Sequence, residues 1–498
     1  MNAGRLEISR LYQRFAFGPR PGEFTAALKA GPAQTRNALL APPAQDIGAQ
    51  SVQPPVLTDL GQRPKPNTPE LVNFALGMRT QREALMLWWL DLMVKSDHGL
   101  TERMVWFWHG HWATSMSKVD HPLAMYKQNQ TFRTYALGDL TAMSRAMLND
   151  GALQFWLDGQ TNTKGKPNEN LAREFMELFL LGVNRYTEDD VKALSKSLTG
   201  YQLNSSTGEV RFNEKRHDFA PVALLGTTRH FSGEEASDFL VAKSDCQKFI
   251  AERIWYRFLS STEAMPNSFS AVSAYSSRNM LSAITAAASD PEMQKVKNQM
   301  AKAPLEWFIA ACRALELTPS QLKRPAQISA HLSKLGQIPF NPPNVGGWPA
   351  GEAWLSSASA QYRIEFAAWL VKQSSLRALN EIPVEKRVVQ SADWLILTRF
   401  WSGWIEPNES TKFGSDVPNQ VVENSFCLRG SYQHDLVRLY QKCSPGDGIG
   451  PYDAPYQPLF DYAVEVLVPV TPRPDGTCTP TCRGIFNPDY ANIDTSVL

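Results

Sequence analysis

Long apolar runs are missing from this sequence: no stretch approaches the roughly 18–20 consecutive apolar residues that a membrane-spanning helix requires. The nearest, 84–94, is too short and contains Asp91. The first seventeen positions alternate charged and apolar side chains, so the continuous apolar core of a secretory signal is missing as well. The expected compartment is therefore the cytoplasm, unless a leader was removed or an exported partner carries the chain to the periplasm or cell envelope. Excess charge of one sign is also lacking. With 50 basic and 49 acidic side chains the net charge is +1, which gives no electrostatic attraction to nucleic acid or an anionic membrane surface. Several catalytic fingerprints are absent too: Gly-x-Gly-x-x-Gly after a strand, Gly-x-x-x-x-Gly-Lys-Ser/Thr, His-Glu-x-x-His, Gly-x-Ser-x-Gly and Cys-x-x-Cys-His. Nucleotide, zinc-protease, esterase and c-type haem chemistry lose their sequence support with them.

Cysteine is scarce, 6 in 498 residues, and unevenly placed. Cys246 and Cys312 fall in helical patterns and are expected to act as small buried apolar groups. Cys427, Cys443, Cys478 and Cys482 lie near the C-terminus, where free thiols, a disulfide and a metal site all remain open. Export is not indicated, which disfavours the disulfide, and the spacing is not that of a zinc ribbon.

What is present describes an ordinary globular chain, 43% hydrophobic and 20% charged. Its length exceeds what one core usually reaches, so more than one unit is expected. Helical periodicity with helix-start signals fills most of 1–375. Thr68-Pro-Glu70, Thr101, His121-Pro122, Asp139, Thr187 and Ser232-Gly-Glu-Glu235 each read as a start. A break at 201–213 reads as a small β-hairpin around Ser-Ser-Thr-Gly. The expected fold is mainly α, a multi-helix orthogonal bundle carrying that hairpin, over 1–375. Residues 376–498 form an appended, partly irregular C-terminal extension, with a short strand near 463–470.

Three constellations carry chemistry. The first places His109 and His111 among Trp106, Phe107, Trp108 and Trp112. Residues two apart on a helix point about 200° from one another. If Gly110 ends the helix, the two imidazoles converge as ligands of a divalent metal; otherwise both make satisfied hydrogen bonds in an aromatic pocket. The second is the glutamate-rich segment 167–182. At about 100° per residue, Leu171, Phe175, Leu178 and Leu181 form an apolar stripe with Glu174 inside it and Glu177 beside it. A carboxylate so placed is paired, protonated or cation-bound. Arg103, Arg133 or Arg145 would supply a salt bridge; otherwise the group has acid–base or metal work to do. The third is His217-Asp218, an imidazole and a carboxylate presented on one loop. Gln128, Asn129, Arg133 and Asn168 are candidate donors to a ligand, and Trp348 a candidate stacking platform.

Taken in order, Arg14-Phe-Ala-Phe-Gly-Pro19, Trp106-Phe-Trp-His-Gly-His-Trp-Ala-Thr-Ser115, Gln128-Asn-Gln-Thr-Phe-Arg133 and Pro167-Asn-Glu-Asn-Leu-Ala-Arg-Glu-Phe-Met-Glu-Leu178 form a distinctive series. Tyr186-Thr-Glu-Asp-Asp-Val191, Leu198-Thr-Gly-Tyr201, His217-Asp218 and Asn341-Pro-Pro-Asn-Val-Gly-Gly-Trp-Pro349 continue it. Over about 8–373 the chain resembles the bacterial family called domain of unknown function 1800. The resemblance implies a mainly helical fold with no established activity. It also implies a sulfatase-like, often exported neighbour, domain of unknown function 1501, as a partner. The extension after 375 departs from the resemblance.

Two functions follow as expectations. One is a metal-assisted or acid–base hydrolase, acting in the cell envelope, with Glu174, Glu177, His217 and Asp218 as catalytic groups and His109 and His111 as metal ligands. The other is a non-catalytic scaffold or maturation partner of the exported sulfatase-like protein.

Overall fold

The computed structural model describes residues 3–373, apart from 62, 205, 206, 296 and 299, together with two short strands at Val470–Pro472 and Cys478–Pro480. Those two strands pair antiparallel. The strand expected near 463–470 otherwise lies outside the described residues, as do Cys427, Cys443 and Cys482. Among the described residues eighteen α-helices dominate, and no helix is long and apolar enough to cross a membrane. Cys246 and Cys312 are buried free thiols.

One connected set of buried side chains runs from Leu11 to Leu370, so the described helices share a single core. Its centre is aromatic. Helices Pro69–Lys95 and Gly99–His111 bring Trp89 and Trp106 to a ring separation of 5.6 Å. The N-terminal helix Ala3–Phe15 is tied in by long-range bonds. Arg10 donates to the Met293 carbonyl at 2.7 Å, and Arg14 to the Asn298 carbonyl at 2.6 Å.

The start signals mostly hold. Asp139 caps its helix, and Thr187 with Asp190 and Ser232 with Glu235 form capping boxes. Two starts differ. Thr68 turns its hydroxyl back to the Lys65 carbonyl at 3.1 Å and leaves Pro69–Lys95 without a side-chain cap. Thr101 sits inside the first turn of Gly99–His111, its hydroxyl 2.7 Å from His98 Nδ1, because the helix begins two residues earlier than the hydroxyl suggested.

The expected hairpin is present, with Tyr201–Leu203 paired to Val210–Phe212. A second, Val222–Leu224 with Thr227–Arg229, follows it. Its two-residue turn puts Leu225 (φ 45°) and Gly226 (φ 77°) in the left-handed region, which Leu enters only at a cost. Leu225 N–H is held there by Asp190 Oδ1 at 2.6 Å.

The glutamate-rich segment changes geometry midway. It is α-helical over Glu169–Glu174 and π-helical over Phe175–Leu180. Burial follows a four-residue repeat: Leu171-Ala172, Phe175-Met176 and Phe179-Leu180 are inside, and the pairs between them are only partly buried. A repeat of four is wider than the 3.6 residues of an α-turn, and a π-turn absorbs the difference. A second π-segment, Trp255–Leu259, extends helix Ser244–Ile254.

Candidate functional site

The apolar face of the glutamate segment packs on the histidine helix. Trp112 meets Phe175 and Phe179 at 5.5 and 4.5 Å between ring centres. The four-residue repeat therefore moves Glu174 from the middle of the stripe to its edge, where it is half-buried. None of the three arginines expected to neutralise it does so. Arg103 pairs with Glu306, Arg133 with Glu102 and Arg145 with Asp238. The adjacent Arg173 is held by both Glu188 oxygens at 2.7 Å. No hydrogen bond or ion pair to the Glu174 carboxyl exists among the described residues. Burial, then the nearby Glu177 charge, raises its pKa, with Arg173 only partly offsetting them.

Glu177 is differently placed. Its Oε2 accepts the Tyr186 hydroxyl, and burial together with that carboxylate raises the tyrosine pKa. Glu174, Glu177 and Tyr186 thus form one partly accessible cluster at the α-to-π junction. Such junctions recur at functional sites. Tyr186 opens the Tyr-Thr-Glu-Asp-Asp-Val motif and lies outside the residues expected to form a site.

The histidines do not join this cluster. Gly110 does not end the helix, which continues to His111, so the imidazoles keep their helical divergence. His109 Nε2 accepts the Phe340 N–H at 3.0 Å, and its ring packs edge-on to Trp89 at 5.2 Å. His111 Nε2 donates to the Phe179 carbonyl at 2.8 Å. Burial drives both pKa values down to about 3, so both rings are neutral. No group of three or more His, Cys, Asp or Glu among the described residues is arranged to hold a metal ion. With both Nε2 atoms on backbone partners, the expected divalent metal has no donor set at His109 and His111.

His217 is anchored separately. Its Nδ1 donates to the Thr199 carbonyl at 2.9 Å, and Asp218 N–H donates to the Thr199 hydroxyl at 2.8 Å. Of the candidate ligand donors, most are engaged locally. Gln128 accepts from Thr114 at 2.6 Å and donates to Asp150 at 2.7 Å. Arg133 grips Glu102 at 2.7 and 2.9 Å, and Trp89 donates to the same carboxylate at 3.0 Å. Asn168 caps helix Glu169–Glu174 through the Asn170 N–H at 3.0 Å. Trp348 stacks on Trp106 at 4.9 Å. Among the described residues, Asn129 keeps both buried amide atoms, and Trp348 its buried indole Nε1, without a hydrogen-bond partner.

A hollow of about 560 Å³ lies elsewhere, lined by Ser51, Trp88, Asp91, Lys95 and Thr318, and none of the sequence-selected residues lines it. Two residues that sequence reading passed over are Arg253 and Arg257, four apart on one helical face. Like charges at that spacing repel, and that repulsion was the available signal.

No curated protein and no solved structure matches the chain. A family model described as protein of unknown function (DUF1800) matches residues 10–432. The match runs beyond 375, where the sequence reading had ended the resemblance. The chain therefore belongs to the DUF1800 family.

Proposed function

We propose that the chain is an acid–base hydrolase working from Glu174 and Glu177, with Tyr186 as a positioning residue. One observation carries this reading: Glu174 is half-buried and raised in pKa, yet makes no ion pair or hydrogen bond among the described residues. Two neighbouring carboxyls in unlike environments suit opposite roles. Glu174 is the general acid that protonates a leaving-group oxygen. Glu177, held by the Tyr186 hydroxyl, accepts the proton of the attacking water.

The test is a panel of chromogenic carboxyl-ester, phosphoester, sulfate-ester and glycoside substrates. Glu174→Gln is expected to lower turnover of an accepted substrate by about 10²–10⁴-fold with the melting temperature unchanged. Activity should fall as pH rises through the elevated Glu174 pKa, and Glu177→Gln should lower turnover as well, by removing the base. Turnover of no class, or equal turnover by Glu174→Gln, contradicts the reading.

The scaffold reading has one observation behind it. Val72 and Leu76, one turn apart on Pro69–Lys95, are 69% and 62% exposed, as a docking face would be. A stable complex with a sulfatase-like neighbour, inactive in the panel with either component alone, selects that reading instead.

A further inference from the structure

Arg253 and Arg257 differ from most guanidiniums near the core. Arg103, Arg133, Arg185 and Arg313 each have a carboxylate within ion-pair distance. Arg253 has neither ion pair nor hydrogen bond among the described residues, and its Nε is buried without a partner. Its guanidinium carbon lies 6.0 Å from the centre of the Tyr256 ring. Among the described residues, Arg257 donates only to the carbonyls of Trp348 and Pro349. Burial is the leading influence on both, and it lowers Arg257 to about 10, helped by the Arg253 charge. Both residues nevertheless keep part of their surface accessible.

The opposite wall comes from two sequence motifs that the carboxylate site leaves unused. Gly110 is buried, yet a side chain built on it would meet nothing within 4 Å. Open space therefore adjoins a helix in the middle of the protein. On the same helical face, Trp106 stacks on Trp348, and Phe107 lies 5.7 Å from Phe258, the neighbour of Arg257. The Gly110 side thus faces the gap between the Gly347-Trp348-Pro349 loop and the arginine segment. Gly347 closes one edge, since a Cβ there would lie 2.2 Å from the Gly110 carbonyl oxygen. His111 borders the same space: Arg253 and Arg257 are the charges that act on it, and its Nδ1 is buried without a partner.

We infer that Arg253 and Arg257, together with Gly110 and the 347–349 loop, form a binding site for the oxyanion group of a small ligand. Two desolvated positive charges are costly to keep when one, Arg253, has no ion pair among the described residues and the carboxylate near the other, Glu306, is already paired with Arg103. A bound oxyanion supplies the missing partner, and paired guanidinium forks match its geometry. His111, already neutral, adds no third positive charge. The site is carried by the arginines and the open space, independently of Glu174.

The test is thermal unfolding of the full chain titrated with phosphate, sulfate and acetate, against chloride at matched ionic strength. At least one oxyanion is expected to give a saturable rise of about 2 °C or more, by binding only the folded state. A response to phosphate or sulfate alone marks a tetrahedral group; a response to acetate alone marks a carboxylate. Arg253→Gln should be at least as stable as the wild type without anion, and should require about tenfold more oxyanion or fail to respond. Gly110→Ala should fold, because alanine suits a helix and the space is open. It should also weaken the anion response. An unchanged response in Arg253→Gln, or no response to any of the three oxyanions beyond that to chloride, overturns the inference.

Discussion

A buried imidazole is inexpensive only while neutral, and His109 and His111 are held in that state by burial. In the unfolded chain each takes up a proton near pH 6.5, whereas the folded chain accepts it only near 3. Between those values the unfolded state holds more protons. The contribution to stability is therefore complete above about pH 6.5 and declines on acidification, by up to about 1.4 kcal/mol per pH unit for each ring. Asp150 works the other way. Burial lifts it to about 7 from 3.8, so between those values the folded state holds the extra proton, and stability from this group falls as pH rises. His109→Gln isolates one histidine, since an amide oxygen can still accept the Phe340 N–H. The stability gap between wild type and His109→Gln should narrow as pH falls from 6.5 to 4.5 in paired denaturant titrations; a constant gap would place the His109 proton elsewhere. The sequence showed that these histidines sit among aromatics. It did not show their partners, which are backbone groups 231 and 68 positions away.

At the scale of the element, the decisive feature is a four-residue repeat read as if it had the α-helical period. Treating Leu171 through Leu181 at 100° per residue put Glu174 in the core, whereas the Leu-Ala, Phe-Met, Phe-Leu spacing already favoured a wider turn. The π-turn leaves the Met176 carbonyl accepting both Leu181 and Gly182 N–H, at 2.7 and 3.1 Å, and the Phe179 carbonyl accepting His111. The proline- and glycine-rich loop was legible as a loop, but its docking was not. Phe340 lies in the left-handed region at φ 62°, pinned by its N–H to His109 and by its carbonyl to Met116 N–H. Strain of that kind persists only where surrounding contacts impose it. Glycine substitutions on the two sides of this junction should have opposite signs. Gly347→Ala meets the Gly110 carbonyl and a φ of 78°, and should cost at least about 2 kcal/mol. Gly110→Ala should gain about 0.5–1 kcal/mol, as alanine does in a helix. Chemical denaturation of both variants checks the pair, and equal signs would refute the close approach of the two backbones.

For the molecule as a whole, helix content, most helix starts and the first hairpin were written in local signals: capping residues, prolines at first turns, periodicity. The second hairpin was hidden by a Leu-Gly turn that needs Asp190 to hold it. Which arginine meets which carboxylate was not legible, because pairs such as Arg103 with Glu306 join positions about two hundred apart. The single core from Leu11 to Leu370 fixes those pairings and, by committing Arg103, Arg133 and Arg145 to other carboxylates, leaves Glu174 without an ion pair among the described residues. That deprivation is the centre of the functional proposal, and the intact chain can report it directly. Carbon-13 NMR of glutamate-labelled protein, with Glu174→Gln to assign the resonance, measures the Glu174 pKa. A value clearly above 4.5, moving down in Glu177→Gln, is predicted; a value at or below 4.5 that does not respond to Glu177→Gln would contradict it.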